Sequence, residues 1–133
     1  MSIFNNIFGA KGDKDSKPEK KSYLNWTPLT SLEQFEEIKQ QSKTESVFIF
    51  KHSTSCGISS MVIKLFENLF TEEHQYLKVY YLDLLKYRNI SDEVGYTFQV
   101  MHQSPQLLVI KNEVSVFDAS HYDITTMNLT RFI

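Results

Sequence analysis

Cys56 is the only cysteine in the 133-residue chain, and it stands inside the stretch His52-Ser53-Thr54-Ser55-Cys56-Gly57-Ile58-Ser59-Ser60. An apolar run precedes this stretch and a helical pattern follows it, so the thiol falls where a strand hands over to a helix. The free N–H groups and the positive dipole end of a helix start favour a thiolate, and the thiolate is the attacking species of thiol–disulfide exchange. Ser59 fills the last place of a Cys-x-x-Ser pattern, where its hydroxyl and its backbone N–H could both point at the sulfur. A hydroxyl can steady a thiolate but cannot resolve a mixed disulfide. A redox site built on Cys56 must therefore be monothiol, discharged by a second, external thiol. Gly57 is expected to allow close backbone approach. Lys51 and His52 are expected to add positive potential, and Thr54 and Ser55 to line the loop by adjacency. The competing reading of Cys56 is an inert buried thiol, the condition of most free cysteines.

Composition narrows the setting. With 14 basic against 16 acidic residues, a net charge of -2 and 41% hydrophobic content, the chain is neither a polyelectrolyte nor disordered in balance. Nucleic acid is not suggested as a partner. A single cysteine can form neither an internal disulfide nor a multi-cysteine zinc site, so a reducing cytoplasm is the expected location. The N-terminus lacks the basic region and long apolar run of a signal peptide, and nothing is long and apolar enough to span a membrane. Residues 1–22 are expected to form a flexible N-terminal segment and linker, and residues 23–133 one domain. Ile3, Phe4, Ile7 and Phe8 would share one face of a short helix. That face is either a weak membrane-surface or partner contact or a loosely packed chain end.

The elements that must position Cys56 follow from hydrophobic periodicity. Trp26–Leu29 is expected as a short extended piece that Pro28 confines to an edge. Thr30 is the expected N-cap of a first helix, with Glu33 in the capping-box place and Leu32, Phe35 and Ile38 as its apolar stripe, running to about Gln41. Val47–Phe50 is an unbroken apolar run typical of a central strand. Ile58, Met61, Val62, Leu65, Phe66 and Leu69 recur at helical spacing. Leu77–Asp83 is a further strand. A third helix is expected from about Ser91 to His102, stopping before Ser104-Pro105 because the residue ahead of a proline avoids helical backbone. Gln106–Ile110 and Val114–Asp118 form a hairpin through Lys111-Asn112-Glu113, where the asparagine tolerates positive φ. Ile124–Ile133 could close as a last short helix. The order β-α-β-α-β-α-β-β-α is that of an α/β, thioredoxin-like fold, a central mixed sheet with helices on both faces. In such a fold the proline before the fourth strand is cis and faces the cysteine loop; the alternative is an ordinary trans proline.

"FKHSTSCGIS", "VMHQSPQLLVIKN" and "ASHYDIT", in this order and spacing over Trp26–Ile133, resemble the YtxJ family of monothiol bacilliredoxins of the bacillithiol system. The resemblance implies a monothiol thiol–disulfide oxidoreductase without a resident cofactor, using bacillithiol as co-substrate. Cys56 would attack the bacillithiol sulfur of a bacillithiolated client protein, and a second bacillithiol would regenerate it. Gly57, Ile58 and Ser59 would then cradle the sulfur, with Thr54 and Ser55 in the same loop, and Ser104-Pro105 would be the ledge that pairs with client backbone. Family members more often carry proline after the cysteine, and Gly57 departs from that pattern.

Other residues carry weaker signals. His52 and His121 fall inside the resembling blocks and are possible acid–base groups, although a histidine near a strand end is more often structural. No pair of histidines has the spacing of a helical metal site, so no metal is expected. The aromatic content of 14% lacks the interleaved basic residues of a nucleic-acid platform. Phe48, Phe50, Phe66 and Phe98 instead fall on core faces. Two other functions compete: a redox-inactive thioredoxin-like adaptor that binds a protein partner at the Pro105 ledge, and a glutaredoxin-type reductase using a different low-molecular-weight thiol.

Overall fold

A computed structural model describes residues 22–133. The segment bearing Ile3, Phe4, Ile7 and Phe8, and all of the expected linker but its last residue, lie outside the described residues. The strands are β1 (Trp26–Pro28), β2 (Val47–His52), β3 (Lys78–Asp83), β4 (Gln106–Lys111) and β5 (Val114–Ser120). They form one sheet in the spatial order β1-β3-β2-β4-β5. β3 runs parallel to β1 and β2, while β4 is antiparallel to both β2 and β5. The apolar run of β2 thus lies at the centre of the sheet, buried along its whole length, as expected for a strand covered on both faces.

Alternation along β2 divides the core in two. Phe48 and Phe50 face helix α2 (Gly57–Glu67), packing with Val62, Phe66, Phe70, Leu107 and Val109. Val47 and Ile49 face α1 (Gln34–Ser42) and α3 (Arg88–Phe98), packing with Phe35, Ile38, Val94 and Phe98. Each fully buried side chain of this kind contributes about 1.5–3 kcal/mol. Trp26 pins β1 to the α2 face, its ring edge-on to Phe50 at 5.8 Å and its Nε1 donating to Glu67 Oε2 at 2.8 Å. The expected hairpin forms, with Asn112 and Glu113 at φ of 54° and 68° between β4 and β5. Among the described residues no helix is long and apolar enough to cross a membrane.

Four boundaries and faces differ from expectation. Thr30 does not cap α1. The N-cap position is Glu33, without a side-chain cap, and the helix starts at Gln34 with Leu32 exposed. The side chain of Gln34 instead ties down the chain ahead of the helix, its Oε1 accepting the N–H groups of Thr30 and Ser31 at 2.7 and 3.0 Å while its Nε2 donates to Pro28 O at 2.8 Å. On α2 only one edge of the apolar stripe is covered: Val62 and Phe66 are buried, whereas Ile58, Met61 and Leu65 are exposed. α3 begins at Arg88 and ends at Phe98 rather than His102, because Gln99 turns left-handed at φ 56° and the chain folds back over Gly95. A Cβ on Gly95 would lie 3.0 Å from Val100 O, tighter than most such contacts, so glycine accommodates this return without a shift of the backbone. The C-terminal segment makes two short 3-10 helices, His121–Thr126 and Leu129–Phe132, not one α-helix.

Candidate active site

Strand β2 ends in Lys51 and His52, and five residues later, at Gly57, the chain enters α2. Cys56 is the N-cap of that helix, with extended backbone at φ -109° and ψ 122°. Its N–H donates to Ser53 O at 3.2 Å and its carbonyl accepts Ser60 N–H at 3.0 Å. The thiol is the one free cysteine and is half-buried. Thr54, Ser55, Gly57 and Ile58 around it are exposed, while Ser59 is fully buried. Among the described residues the N–H groups of Gly57, Ile58 and Ser59 have no main-chain acceptor. The first turn therefore leaves these donors free where Cys56 caps the helix, and the Cys56 side chain accepts none of them.

The hydroxyl of Ser59 points elsewhere. Its Oγ accepts Ser53 N–H at 3.1 Å and lies 2.7 Å from His52 Nδ1, and it makes no hydrogen bond to Cys56. This pair fastens the start of α2 to the end of β2 beneath the thiol. Burial holds the His52 pKa below its ordinary value against the opposing pull of Asp83, so the imidazole sits neutral against Ser59. Gly57 also departs from expectation: no atom lies within 4 Å of where its Cβ would be, so no close backbone approach requires glycine there.

The second half of the site comes from the other end of the chain. Ser104–Pro105 is a cis peptide bond. The antiparallel register pairs Lys51 with Gln106, which sets Pro105 beside the strand end from which the cysteine loop departs. The main-chain N–H and C=O of Ser104 have no partner among the described residues. Pro105 O accepts His121 N–H at 3.0 Å, and His121 is held there in left-handed backbone at φ 57°, its side chain exposed. The loop of residues 54–59, the ledge Ser104-Pro105 and His121 thus gather at one end of the sheet.

Lys51 was expected to add positive potential at the thiol. It lies on the opposite face of β2 from His52, completely buried, with Nζ 2.8 Å from His102 Nδ1. The sequence carried one overlooked signal for this, a lysine continuing an apolar central strand. Another contact was illegible: Tyr122 Oη lies 3.8 Å from Met61 Sδ, linking the 3-10 turn after His121 to the exposed stripe of α2. Among the described residues no group of three or more histidine, cysteine or acidic side chains is placed to hold a metal ion.

Sheet order, cis-proline position and a cysteine at the N-terminus of α2 define a thioredoxin fold, and solved structures share it. A protein described as having a thioredoxin fold superposes with a TM-score of 0.68 at 30% identity, covering 80% of this chain and 91% of its own. Reduced Schistosoma mansoni thioredoxin pre-protein gives 0.63 at 21% identity over 81% of this chain and 98% of its own. Malassezia sympodialis thioredoxin gives 0.60 at 20% over 86% and 90%. Residues 27–129 match the family described as monothiol bacilliredoxin BrxC, and the chain belongs to that family.

Proposed function

We propose that the protein removes bacillithiol from protein mixed disulfides by monothiol exchange at Cys56. The observation that carries this reading is a lone, half-exposed cysteine at the free N–H groups of α2, with no second thiol in the chain to resolve a disulfide. The Cys56 thiolate attacks the bacillithiol sulfur of the client mixed disulfide. The client sulfur leaves as a thiolate and takes a proton from water, and bacillithiol remains disulfide-linked to Cys56. A second bacillithiol thiolate then attacks the bacillithiol sulfur of that adduct, releasing Cys56 and carrying away the oxidising equivalent as bacillithiol disulfide. Electrons balance with two bacillithiol molecules joined for each client thiol freed. Bacillithiol serves as co-substrate, and no resident cofactor is needed.

The unbonded N–H groups of Gly57, Ile58 and Ser59 are available to the sulfur as it gains charge, Thr54 and Ser55 shape the loop, and Ser104 offers unpaired main chain to an extended client segment above Pro105. Mass spectrometry of the protein mixed with a bacillithiolated client tests the proposal. A bacillithiol adduct that grows on Cys56 and disappears on adding bacillithiol is the expected result. An unmodified Cys56 with the client still blocked would instead support the adaptor function. Faster turnover with glutathione mixed disulfides than with bacillithiol ones would select the glutaredoxin-type reaction.

A further inference from the structure

Lys51 is a cation buried completely at the end of the central strand, on the face covered by α1 and α3. Burying an ammonium is costly unless it is paired, and the partner here is not a carboxylate but the ring of His102 at 2.8 Å. An ammonium can only donate. His102 Nδ1 must therefore carry a lone pair, which makes the ring neutral with its proton on Nε2. Burial, together with the cations of Lys51 and of Arg88 on α3, keeps the His102 pKa below its ordinary value, opposed by Asp92 on α3.

A second buried side chain works beside it. Gln106, across from Lys51 in the β2–β4 register, is 1% exposed. Its Nε2 donates to Met101 O at 2.9 Å and its Oε1 accepts Gln103 N–H at 3.3 Å. Lys51 and Gln106 thus hold three consecutive residues, Met101, His102 and Gln103, each of them exposed and outside regular structure. Those residues lead directly into Ser104-Pro105.

We propose that Lys51 is a positioning residue for the client ledge: with Gln106 it fixes Met101–Gln103 so that the Ser104 main chain faces an incoming client strand, through a hydrogen bond that His102 accepts only while neutral. The proposal rests on the thiol-exchange reading for its consequence in catalysis but not for the clamp itself. Protonating His102 sets two donors against each other and releases the loop. Deprotonating Lys51 does not, since a neutral amine still donates. The ledge is therefore held from neutral to alkaline pH and loosened in acid.

The test compares the unmodified protein with Lys51→Met, His102→Leu and His102→Asn, using a bacillithiolated test protein as substrate and iodoacetamide as a small probe of Cys56. Lys51→Met and His102→Leu should raise KM for the protein substrate about tenfold, the scale of one hydrogen bond to a charged group, with kcat and Cys56 alkylation little changed. Between about pH 5 and 8, where histidine titrates, KM of the unmodified protein should rise towards acid. His102→Asn, whose carbonyl can accept the same bond without titrating, should flatten that rise. Hydrogen exchange of the amides of residues 100–105 reads the clamp without any chemistry and should quicken in Lys51→Met near neutral pH. Unchanged KM and unchanged exchange in Lys51→Met would overturn the proposal. Failure of the unmodified protein to accept bacillithiol would sink the thiol-exchange reading instead, and the exchange rates would then decide the clamp alone.

Discussion

Ser59 stands three residues beyond Cys56, yet its hydroxyl faces His52, with Oγ and Nδ1 2.7 Å apart and Ser53 N–H donating to the same oxygen at 3.1 Å. The position that a dithiol enzyme gives to a resolving cysteine is here a buried strut between β2 and α2. Ser59→Ala leaves the Ser53 N–H and the His52 ring without their partner in the interior, where an unmet polar group costs about 1–3 kcal/mol. Urea denaturation should show a loss of that size, while alkylation of Cys56 by iodoacetamide slows little. A large fall in alkylation with stability intact would mean that the hydroxyl turns to the sulfur in solution.

Gly57 is the first residue of α2, with ordinary backbone and empty space where a Cβ would be. Its N–H has no acceptor within the described chain, so proline, which lacks that group and suits the first helical position, fits there. Gly57→Pro and Gly57→Ala should each stabilise the fold by about 0.4–1 kcal/mol, by restricting the unfolded chain. Thermal melts check this. A drop in stability would show that the glycine meets a constraint in the fold. A rise in stability with slower bacillithiol transfer would place the value of glycine in the N–H or the space it leaves beside the thiol.

The sheet was legible because each strand is short, apolar and punctuated, and the central position of Val47–Phe50 followed from its lack of alternation. Cys56 at a helix start followed from periodicity, and the cis Ser104–Pro105 bond, for which a trans proline was the alternative, from the fold that the element order indicates. The failures share one cause, in that sequence periodicity shows which residues are apolar but not what covers them. Ile58, Met61 and Leu65 continue the stripe of Val62 and Phe66, yet α2 meets the sheet along one edge only. α3 ends earlier than expected because the chain returns over Gly95, where a Cβ would sit a tight 3.0 Å from the carbonyl of Val100, a contact that periodicity does not display. Lys51 and Ser59 were assigned to the thiol by proximity in sequence, although alternation along β2 sends Lys51 to the far face and burial turns Ser59 inward.

His121 combines an exposed side chain with a left-handed backbone, and its N–H anchors the carbonyl of Pro105. The main chain explains the position without any acid–base role. Asparagine is among the few non-glycine residues at ease at positive φ, and β-branched residues are the least so. His121→Asn should keep both the fold and bacillithiol transfer. His121→Val should cost about 1–2 kcal/mol and disturb the ledge, detectable as weaker client turnover. Loss of transfer in His121→Asn with an unchanged melt would assign the imidazole a part in proton movement.

Lys51 carries a pH signature of its own. Burial lowers its pKa from 10.5 to about 8, against the attraction of Asp92. Below about pH 8 both folded and unfolded chains hold the proton, and folding bears the whole cost of burying the ammonium. Between about 8 and 10.5 the folded chain has released the proton while the unfolded chain keeps it, so stability rises with pH; above that range the cost is gone. The lowering corresponds to about 3 kcal/mol. Lys51→Met removes the charge and keeps the length, an exchange that is often neutral or stabilising. At neutral pH the variant should be more stable than the unmodified protein, and the two should converge as pH climbs from about 8 towards 10.5. Denaturant titrations at several pH values measure that gap. A gap that does not narrow would show that Lys51 is solvated in the folded chain. A narrowing gap, with the ledge loosened in the same variant, would show that global stability is given up to hold one loop in place.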